Sequence, residues 1–339
     1  MRRPVAVFVD PGELDPAPGV ELLTSNGFEV RVADTRDPGR IAAAAHDATA
    51  LIVGYATISA DLMDRVPGLK IVATMSAGTD MVDLGAARDR GLWVANNLGL
   101  ATEDVAVHAL AAALALLRRL PDADAVVRGG GWSAEFADSG PAPRRVGELT
   151  LGLVGLGRIA GEFARIAAPV FGTVTGYDPY VGPSAWPAWI GRAATVEELV
   201  AGADVVSLHL PLTGETRELV DSALLARFRR GSLLVNVARG ALIEPAALLA
   251  ALDSGRLAGA ALDVFPIEPP GAQDPLRSHP RLLLSPHSAF LSDRSRQAYV
   301  CKPAENVISW WRNGAPLTPV AIPSGAGDQG PQRKKGTNT

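Results

Sequence analysis

The stretch "LGLVGLGRIAGEFARIA", residues 151–167, contains the pattern that decides the fold. An apolar run leads into Gly155-x-Gly157-x-x-Ala160, and a segment with helical periodicity follows. Gly155 permits a tight turn, Gly157 lets a pyrophosphate approach the backbone, and Ala160 is a small residue where helix meets strand. The order strand, glycine turn, helix therefore predicts a dinucleotide-binding unit in which the helix N-terminus binds phosphate.

The next apolar run along the chain ends in a carboxylate. "TVTGYD" covers residues 173–178, and Asp178 lies about 20 positions beyond the glycine turn, as the dinucleotide pattern requires. A carboxylate there accepts hydrogen bonds from the adenosine ribose and repels a 2′-phosphate. The sequence therefore predicts NAD rather than NADP as the cofactor. An ordinary strand-end aspartate is the alternative interpretation.

Strand-like and helical segments alternate on both sides of this stretch, which predicts an α/β protein with two doubly wound parallel sheets. One long helix is predicted over residues 102–120, with Thr102 as its N-cap and Pro121 after its end. A C-terminal helix is expected over residues 292–311. The predicted strands cover residues 5–10, 28–33, 50–55, 69–74, 149–155, 173–178, 204–210, 232–238, 259–265 and 281–287.

Composition restricts the class of protein. The chain has 339 residues, of which 47% are hydrophobic and 20% charged, a balance typical of globular proteins. Its net charge of −4 gives no reason to expect nucleic acid as a partner. Cys301 is the only cysteine, which excludes an intrachain disulfide and a cysteine-based zinc site, and no metal is expected.

The apolar runs also bear on location. None is long enough to span a bilayer, and the N-terminal run is too short for a signal sequence. We therefore expect a soluble cytoplasmic protein that does not bind membranes. Residues 324–339 are almost devoid of apolar side chains and are expected to be disordered.

Three chemistry-bearing residues lie at or just after the ends of strands that follow the glycine turn: Arg239, Glu268 and His287. Ligands of an open parallel sheet bind outside the carboxyl ends of its strands. An arginine can pair with an anionic substrate, a histidine can exchange a proton, and a carboxylate can hold the imidazolium. Each residue taken singly is more often structural. Together, after a nucleotide loop, they predict a catalytic site for a small anion.

These segments resemble the D-isomer-specific 2-hydroxyacid dehydrogenase family, which includes phosphoglycerate, glyoxylate and D-lactate dehydrogenases. The resemblance covers about residues 50–310 and implies a Rossmann NAD domain inserted into a flavodoxin-like substrate domain. The NAD domain would take residues 98–290, and the substrate domain residues 1–97 with 291–323. A homodimer is also implied. The segments in family order are "GLGRIAGEFA", "VSLHLPLTGETRELV", "LLVNVARGALIEPAALLAAL", "GAALDVFPIEP" and "LLLSPHSAF".

The resemblance implies roles for individual residues. Arg239 would hold the carboxylate of a 2-oxo acid, His287 would protonate the carbonyl oxygen as hydride reaches C2, and Glu268 would hold the histidine. The product of this reversible reaction is a D-2-hydroxy acid. The implied substrate contacts are Tyr55, Ala77, Gly78 and Arg239. The implied cofactor contacts are Gly155, Gly157, Arg158, Ile159, Asp178, His209, Leu210, Pro211, Ala238, Asp263 and Thr102.

Departures from the family pattern leave the substrate open. Val107 precedes His108 where the family commonly has glutamate, and Tyr55 lies in "GYATIS" where the family often has Arg-Ser. His108 is expected to pack within the long helix. Oxidation of phosphite stays an alternative, as do a phosphonate analogue of a 2-oxo acid as substrate and an NAD(H)-sensing role like that of corepressors with this fold. Formate oxidation is disfavoured, because its enzymes pair the histidine with glutamine where this chain has Glu268.

Overall fold

The computed structural model describes residues 3–323, so the expected disorder of residues 324–339 lies outside the described residues. Strands and helices alternate along the chain, as predicted. The strands are β1 Val5–Val9, β2 Glu29–Ala33, β3 Ala50–Val53, β4 Ile71–Thr74, β5 Trp93–Ala95, β6 Thr150–Val154, β7 Thr173–Tyr177, β8 Gly191–Arg192, β9 Val205–Leu208, β10 Ser232–Asn236, β11 Leu257–Leu262, β12 Leu282–Leu284 and β13 Pro319–Ala321.

The helices fill most of the segments between strands. They are α1 Ala17–Ser25, α2 Pro38–Ala44, α3 Ala60–Asp64, α4 Leu84–Asp89, α5 Thr102–Leu117, α6 Leu120–Arg128, α7 Ser133–Asp138, α8 Arg158–Ala167, α9 Val196–Gly202, α10 Ser222–Arg227, α11 Pro245–Asp253 and α12 Ser295–Asn313. Among the described residues, no helix is both long and apolar enough to cross a bilayer.

The described chain divides into two compact units. Unit 1 comprises residues 3–100 and 292–323, and unit 2 comprises Ala101–Leu291. The expected domain boundaries, 97/98 and 290/291, lie beside these divisions. Assignment of substrate binding to unit 1 stays a prediction.

Each unit is built on one sheet that is covered by helices. The sheet of unit 1 has the order β13-β5-β4-β3-β1-β2, and the sheet of unit 2 has the order β12-β11-β10-β9-β6-β7-β8. The predicted doubly wound α/β class is confirmed. In each sheet the order in which successive strands are added reverses direction at an internal pair of strands, β1/β3 in unit 1 and β6/β9 in unit 2. All pairings are parallel except that of β13 with β5.

Burial explains why the strands of unit 2 read as continuous apolar runs. All five residues of β10 are buried. Leu233 and Val235 pack into a cluster that includes apolar side chains of α5 and α8, whereas Leu234 packs into a second cluster with side chains of α9, α10 and α11. Because helices cover both faces of the sheet, neither face is selected for polar residues.

The prediction of one helix over residues 102–120 is wrong. Helix α5 ends at Leu117, Arg119 takes a left-handed conformation with φ of 53°, and α6 begins at Leu120. Pro121 lies in the first turn of α6, where a missing backbone N–H costs no intrahelical hydrogen bond, so it starts a helix instead of following one. Thr102 is also not the N-cap: Ala101 occupies that position, and Thr102 is the first helical residue.

Three short strands were not predicted: β5, β8 and β13. They contain two or three residues each, too few to show an alternation of polar and apolar side chains. Strand β13 also contains Pro319, which disfavours a strand assignment except at a sheet edge. It does form the edge of its sheet, next to β5.

Candidate functional site

The glycine turn after β6 has the geometry that its sequence predicts. Gly155 has φ of 88°, a region that disfavours a side chain. A Cβ on this residue would also lie 2.7 Å from the carbonyl oxygen of His209, at the end of the neighbouring strand β9. Glycine is therefore required both by the backbone conformation and by the close approach of two strand ends.

The turn leads into the N-terminus of α8. Gly157 is the N-cap, and a Cβ built on it would meet no heavy atom within 4 Å. Ala160 is fully buried, whereas Arg158 is exposed and Ile159 is half-buried. The first turn of a helix has N–H groups without intrahelical acceptors, and its dipole favours an anion. Open space at Gly157 and these donors fit the pyrophosphate of a dinucleotide.

Asp178, just beyond β7, is fixed beside this turn by two backbone amides. Its Oδ2 accepts a hydrogen bond from Leu156 N at 2.8 Å, and its Oδ1 accepts one from Tyr180 N at 2.8 Å. Each carboxylate oxygen can accept a further hydrogen bond. The carboxylate can therefore receive ribose hydroxyl groups without giving up the bonds that orient it.

The end of β9 is organised differently. The His209 ring packs against Phe163 of α8, with centroids 5.5 Å apart, and its Nε2 lies 2.9 Å from Ser207 Oγ. Although the residue as a whole is half-buried, the ring lies in the interior, and burial lowers the pKa of His209 to about 3. The imidazole is therefore neutral. Leu210 is half-buried and Pro211 exposed, and contact of these three residues with adenosine stays a prediction.

A buried asparagine shapes the turn that carries Arg239. Asn236, the last residue of β10, is fully buried. Its Nδ2 donates to Arg239 O at 2.9 Å, and its Oδ1 accepts from Ala238 N at 3.0 Å. No role was predicted for Asn236 from the sequence. Its amide side chain at the end of a buried strand was the signal that could have identified it.

Gly240 brings the Arg239 turn against the segment that carries Glu268. A Cβ on Gly240 would overlap the backbone of Phe265. The guanidinium of Arg239 donates from Nη1 to Ala238 O at 2.7 Å, and its charge helps to lower the pKa of Glu268. Arg239 and Glu268 therefore lie in the same electrostatic environment.

His287 and Glu268 form a direct pair. His287 Nδ1 lies 2.6 Å from Glu268 Oε2, and Glu268 Oε1 accepts a hydrogen bond from Phe265 N at 2.9 Å. Partial burial opposes ionisation of Glu268, but the hydrogen bond and charge of His287, the Phe265 amide and Arg239 together hold its pKa below the ordinary value. About a third of each side chain is exposed, 33% for His287 and 31% for Glu268. The pair combines a fixed orientation with access for a reactant.

Asp263 holds the loop on which His287 lies. Its side chain accepts hydrogen bonds from Ser285 Oγ at 2.5 Å, Ser288 N at 2.9 Å and Ala289 N at 3.0 Å, and its carbonyl oxygen accepts from His287 N at 2.7 Å. His287 has φ of 51°, a left-handed conformation that costs about 1–2 kcal/mol in a residue with a side chain. These bonds on both sides of His287 stabilise that conformation. A contact of Asp263 with nicotinamide stays a prediction.

Behind this loop, His108 of α5 contacts Ser285, with Nε2 3.0 Å from Ser285 Oγ. The two residues border a cavity of about 240 Å³, which is also lined by Ala111, Val237, Asp263 and Leu283. Neither Glu268 nor His287 lines it. The cavity is therefore separate from the His287–Glu268 pair. Within residues 3–323, no group of three or more histidine, cysteine or acidic residues is arranged to hold a metal ion.

The predicted substrate residues of unit 1 lie at strand ends of its own sheet. Tyr55 follows β3, and its hydroxyl donates to Glu13 Oε1 at 3.2 Å. The guanidinium carbon of Arg36 lies 5.3 Å from the centroid of the Tyr55 ring. Ala77 and Gly78 lie in the loop after β4, where Ala77 is exposed and Gly78 half-buried.

The sheet order of unit 2 brings the catalytic candidates together. Strands β10, β11 and β12 are neighbours, so Arg239, Glu268 and His287 lie at one end of three adjacent strands. The glycine turn follows β6 and Asp178 follows β7, so both lie at the same carboxyl ends of the strands as the catalytic candidates. A glycine turn that can accommodate a pyrophosphate and a histidine–carboxylate pair, both at the carboxyl ends of strands in one parallel sheet, are features of a dinucleotide-binding α/β protein.

The chain belongs to the D-isomer specific 2-hydroxyacid dehydrogenase family. Residues 110–289 match the family description "D-isomer specific 2-hydroxyacid dehydrogenase, NAD binding domain". The chain is 35% identical to a glyoxylate reductase of Aeropyrum pernix. The aligned 324 residues cover 93% of this chain and 95% of that protein. The resemblance stated from the sequence motifs is thereby confirmed.

Two further proteins extend the comparison. A D-3-phosphoglycerate dehydrogenase of Mycobacterium bovis is 38% identical over 290 residues, which cover 85% of this chain but 53% of that protein. The chain therefore spans about half the length of the phosphoglycerate dehydrogenases it matches. A crystal structure of an NADPH-dependent glyoxylate/hydroxypyruvate reductase from Sinorhizobium meliloti, in complex with NADP and malonate, has a TM-score of 0.84 and 32% identity. This similarity covers 94% of this chain and 97% of that one.

Proposed function

We propose that the protein is an NAD-dependent dehydrogenase that interconverts a 2-oxo acid and a D-2-hydroxy acid. The observation that carries the proposal is the His287–Glu268 pair at 2.6 Å, with Arg239 close enough to influence the ionisation of Glu268. Membership of the family and the names of the relatives, phosphoglycerate dehydrogenase and glyoxylate reductase, support it. These names favour a 2-oxo acid over phosphite.

The proposed chemistry assigns one task to each residue. A bound nicotinamide supplies the hydride for reduction of C2. The guanidinium of Arg239 binds the substrate carboxylate and polarises the carbonyl group. His287 enters as imidazolium and donates its Nε2 proton to the carbonyl oxygen, because Nδ1 faces Glu268. Glu268 stays ionised and stabilises the imidazolium. In the oxidative direction, neutral His287 accepts the hydroxyl proton.

NAD is the proposed cofactor because of Asp178. Its carboxylate is held at the glycine turn by Leu156 N and Tyr180 N. A 2′-phosphate placed against this fixed negative charge would be repelled, whereas ribose hydroxyls would donate to it. We expect NADH to be preferred over NADPH by at least roughly tenfold in kcat/KM, which corresponds to about 1.4 kcal/mol.

The direct test is NADH oxidation against glyoxylate, hydroxypyruvate, pyruvate, phenylpyruvate and phosphonopyruvate, repeated with NADPH. The proposal expects turnover of at least one 2-oxo acid, with a D-configured product by chiral chromatography. Phosphite oxidation with NAD and no reduction of any 2-oxo acid would replace the proposal by its alternative. Tight NADH binding without turnover of any of these compounds would favour a sensing role.

We also propose that the protein acts as a homodimer. The segment that contains α6 and α7 presents large apolar side chains to solvent: Leu120 is 55% exposed, Val127 54% and Trp132 72%. Apolar side chains clustered on one surface segment favour burial against a partner. Light scattering coupled to size exclusion should give twice the mass of the chain, and Trp132→Ser should weaken the dimer. A monomer at micromolar concentration would contradict this assignment.

A further inference from the structure

The loop Ser76–Gly78, which follows β4, has each of its carbonyl oxygens bound by a side chain. Thr74 Oγ1 donates to Ser76 O at 2.9 Å, and Ser76 Oγ donates to Gly78 O at 2.7 Å. Asn96 Nδ2 donates to Ala77 O at 2.6 Å. The loop is therefore oriented by three neutral side chains, of which only Asn96 comes from another strand end.

Fixing these carbonyl groups also fixes the direction of the loop amides. In a trans peptide, the C=O of one residue and the N–H of the next point in opposite directions. When Ser76 O and Ala77 O are held towards the protein, the N–H groups of Ala77 and Gly78 point away from it. Among residues 3–323, these two amides donate to no protein acceptor. Ala77 is exposed, so its surroundings are open to a small ligand.

Asn96 is anchored firmly enough to act in this way. Only 6% of the residue is exposed, and it lies directly after β5. Its carbonyl oxygen accepts from Thr318 Oγ1 at 2.5 Å, and Asn306 Oδ1 in turn accepts from Thr318 N at 3.0 Å. A chain of hydrogen bonds thus runs from Asn306 of α12 through Thr318 and Asn96 to Ala77.

Folding stability alone does not explain why residue 96 is an asparagine. Its Oδ1 is buried and has no hydrogen-bond partner among the described residues. A buried polar atom without a partner costs about 1–3 kcal/mol, so an apolar residue of similar size would be favoured if packing were the only requirement. Against this cost, the amide side chain contributes the hydrogen bond from Nδ2 to Ala77 O.

We propose that Asn96 is a positioning residue for substrate: it holds Ala77 O so that the Gly78 amide is directed at the carboxylate of a 2-oxo acid. This inference rests on the proposed function. Ala77 and Gly78 are already expected to contact substrate from the family resemblance; the new inference is that Asn96, which does not touch the substrate, sets the direction of the Gly78 amide through Ala77 O. Because the loop acts on the substrate and not on the cofactor, its disturbance weakens substrate binding selectively.

The experiment compares Asn96→Ala with Asn97→Ala. Asn97 is a matched control, because it is also buried, has an unpaired Oδ1, and donates from Nδ2 to Tyr299 O instead of the loop. Its backbone bond to Ser76 O survives the substitution. The readouts are KM and kcat for the best 2-oxo acid, and binding of oxamate, an unreactive 2-oxo acid analogue, to the enzyme with NADH.

Asn96→Ala should raise the KM and weaken oxamate binding by about tenfold to a hundredfold, with NADH affinity unchanged and kcat changed less than KM. Asn97→Ala should leave these values near those of the wild type. If Asn96→Ala does not fold, Ser76→Ala, which removes the bond to Gly78 O, should shift the same quantities in the same direction. Equal effects of the two asparagine variants on KM and oxamate binding, or a loss confined to NADH binding, would overturn the proposal.

Failure of the proposed function gives a different pattern. A wild-type protein that binds NADH but neither reduces 2-oxo acids nor binds oxamate would refute that function, and the role of Asn96 in it. Turnover and oxamate binding by the wild type, combined with an Asn96→Ala variant that matches the wild type, would refute only the role of Asn96.

Discussion

Two histidines, His209 and His287, lie just beyond the carboxyl ends of parallel strands in the same sheet, yet their surroundings differ. The ring of His209 packs against Phe163 in the interior, and burial lowers its pKa to about 3. His287 is a third exposed and is paired with the ionised carboxylate of Glu268. One site excludes the imidazolium, and the other stabilises it.

This difference shows that position at a strand end does not by itself make a histidine a candidate acid. Proton transfer requires access to a reactant and a charge partner that favours the protonated ring. Only His287 has both. The supports differ too, because the His287 loop is held by the buried carboxylate of Asp263, whereas His209 bonds to a neutral serine hydroxyl.

The largest effect on activity should come from removing the side chain of His287, the more exposed of the two histidines. His287→Ala should lower kcat/KM in both directions by about 10³-fold, because the general acid and base is lost, while NADH still binds. His209→Leu should change at most the KM for NADH. Steady-state kinetics and NADH titration of both variants test this expectation. A comparable loss of kcat in His209→Leu would show that the contrast between the two environments has been misassigned.

A smaller effect is expected at the neighbouring strand end. Arg239→Lys keeps the positive charge but loses the planar fork that binds a carboxylate through two donors. We expect kcat/KM for the 2-oxo acid to fall by about a hundredfold with NADH affinity little changed. Parallel measurement of kcat/KM and of NADH dissociation tests this. Equal losses in both would mean that Arg239 serves the cofactor.

The buried histidine should affect stability and not chemistry. Its folded pKa of about 3 lies below the unfolded value of about 6.5, so the unfolded state takes up a proton first as the pH falls. The stabilising contribution is complete above pH 6.5 and declines towards pH 3. Between pH 7.5 and 5, the wild type should lose about 2 kcal/mol more unfolding free energy than His209→Leu. Urea titrations at both pH values measure the difference, and identical pH dependence would contradict a buried neutral ring.

The sequence predicted best those features that short-range patterns determine. The glycine turn, Asp178 and the strand-end positions of Arg239, Glu268 and His287 follow from local spacing, because the carboxyl ends of parallel strands share one edge. The family resemblance implied that Glu268 holds His287, but the 2.6 Å distance between them is seen only in the structure, since it depends on the neighbouring order of β11 and β12.

Other features depend on contacts that no local pattern contains. The break between α5 and α6 is placed at Arg119, whose left-handed conformation was not suggested by its residue type. Strand β13 exists because it pairs with β5, a segment far away in the sequence. The roles of Asn236 and Asn96 rest on backbone acceptors that tertiary structure brings within reach.

The central claim, that Glu268 holds His287 as the proton donor, is tested most directly by the pH dependence of kcat/KM in both directions for the wild type and Glu268→Gln. The lowered pKa of Glu268 keeps its carboxylate ionised in mild acid, so wild-type reduction should persist there and decline only at the lower pH where Glu268 becomes protonated. Glutamine removes the negative charge beside His287, so kcat/KM for reduction should fall and should no longer depend on protonation of residue 268. Oxidation, which needs neutral His287, should suffer less at neutral pH. A Glu268→Gln variant whose pH profile for reduction matches that of the wild type would contradict the pairing as the basis of catalysis.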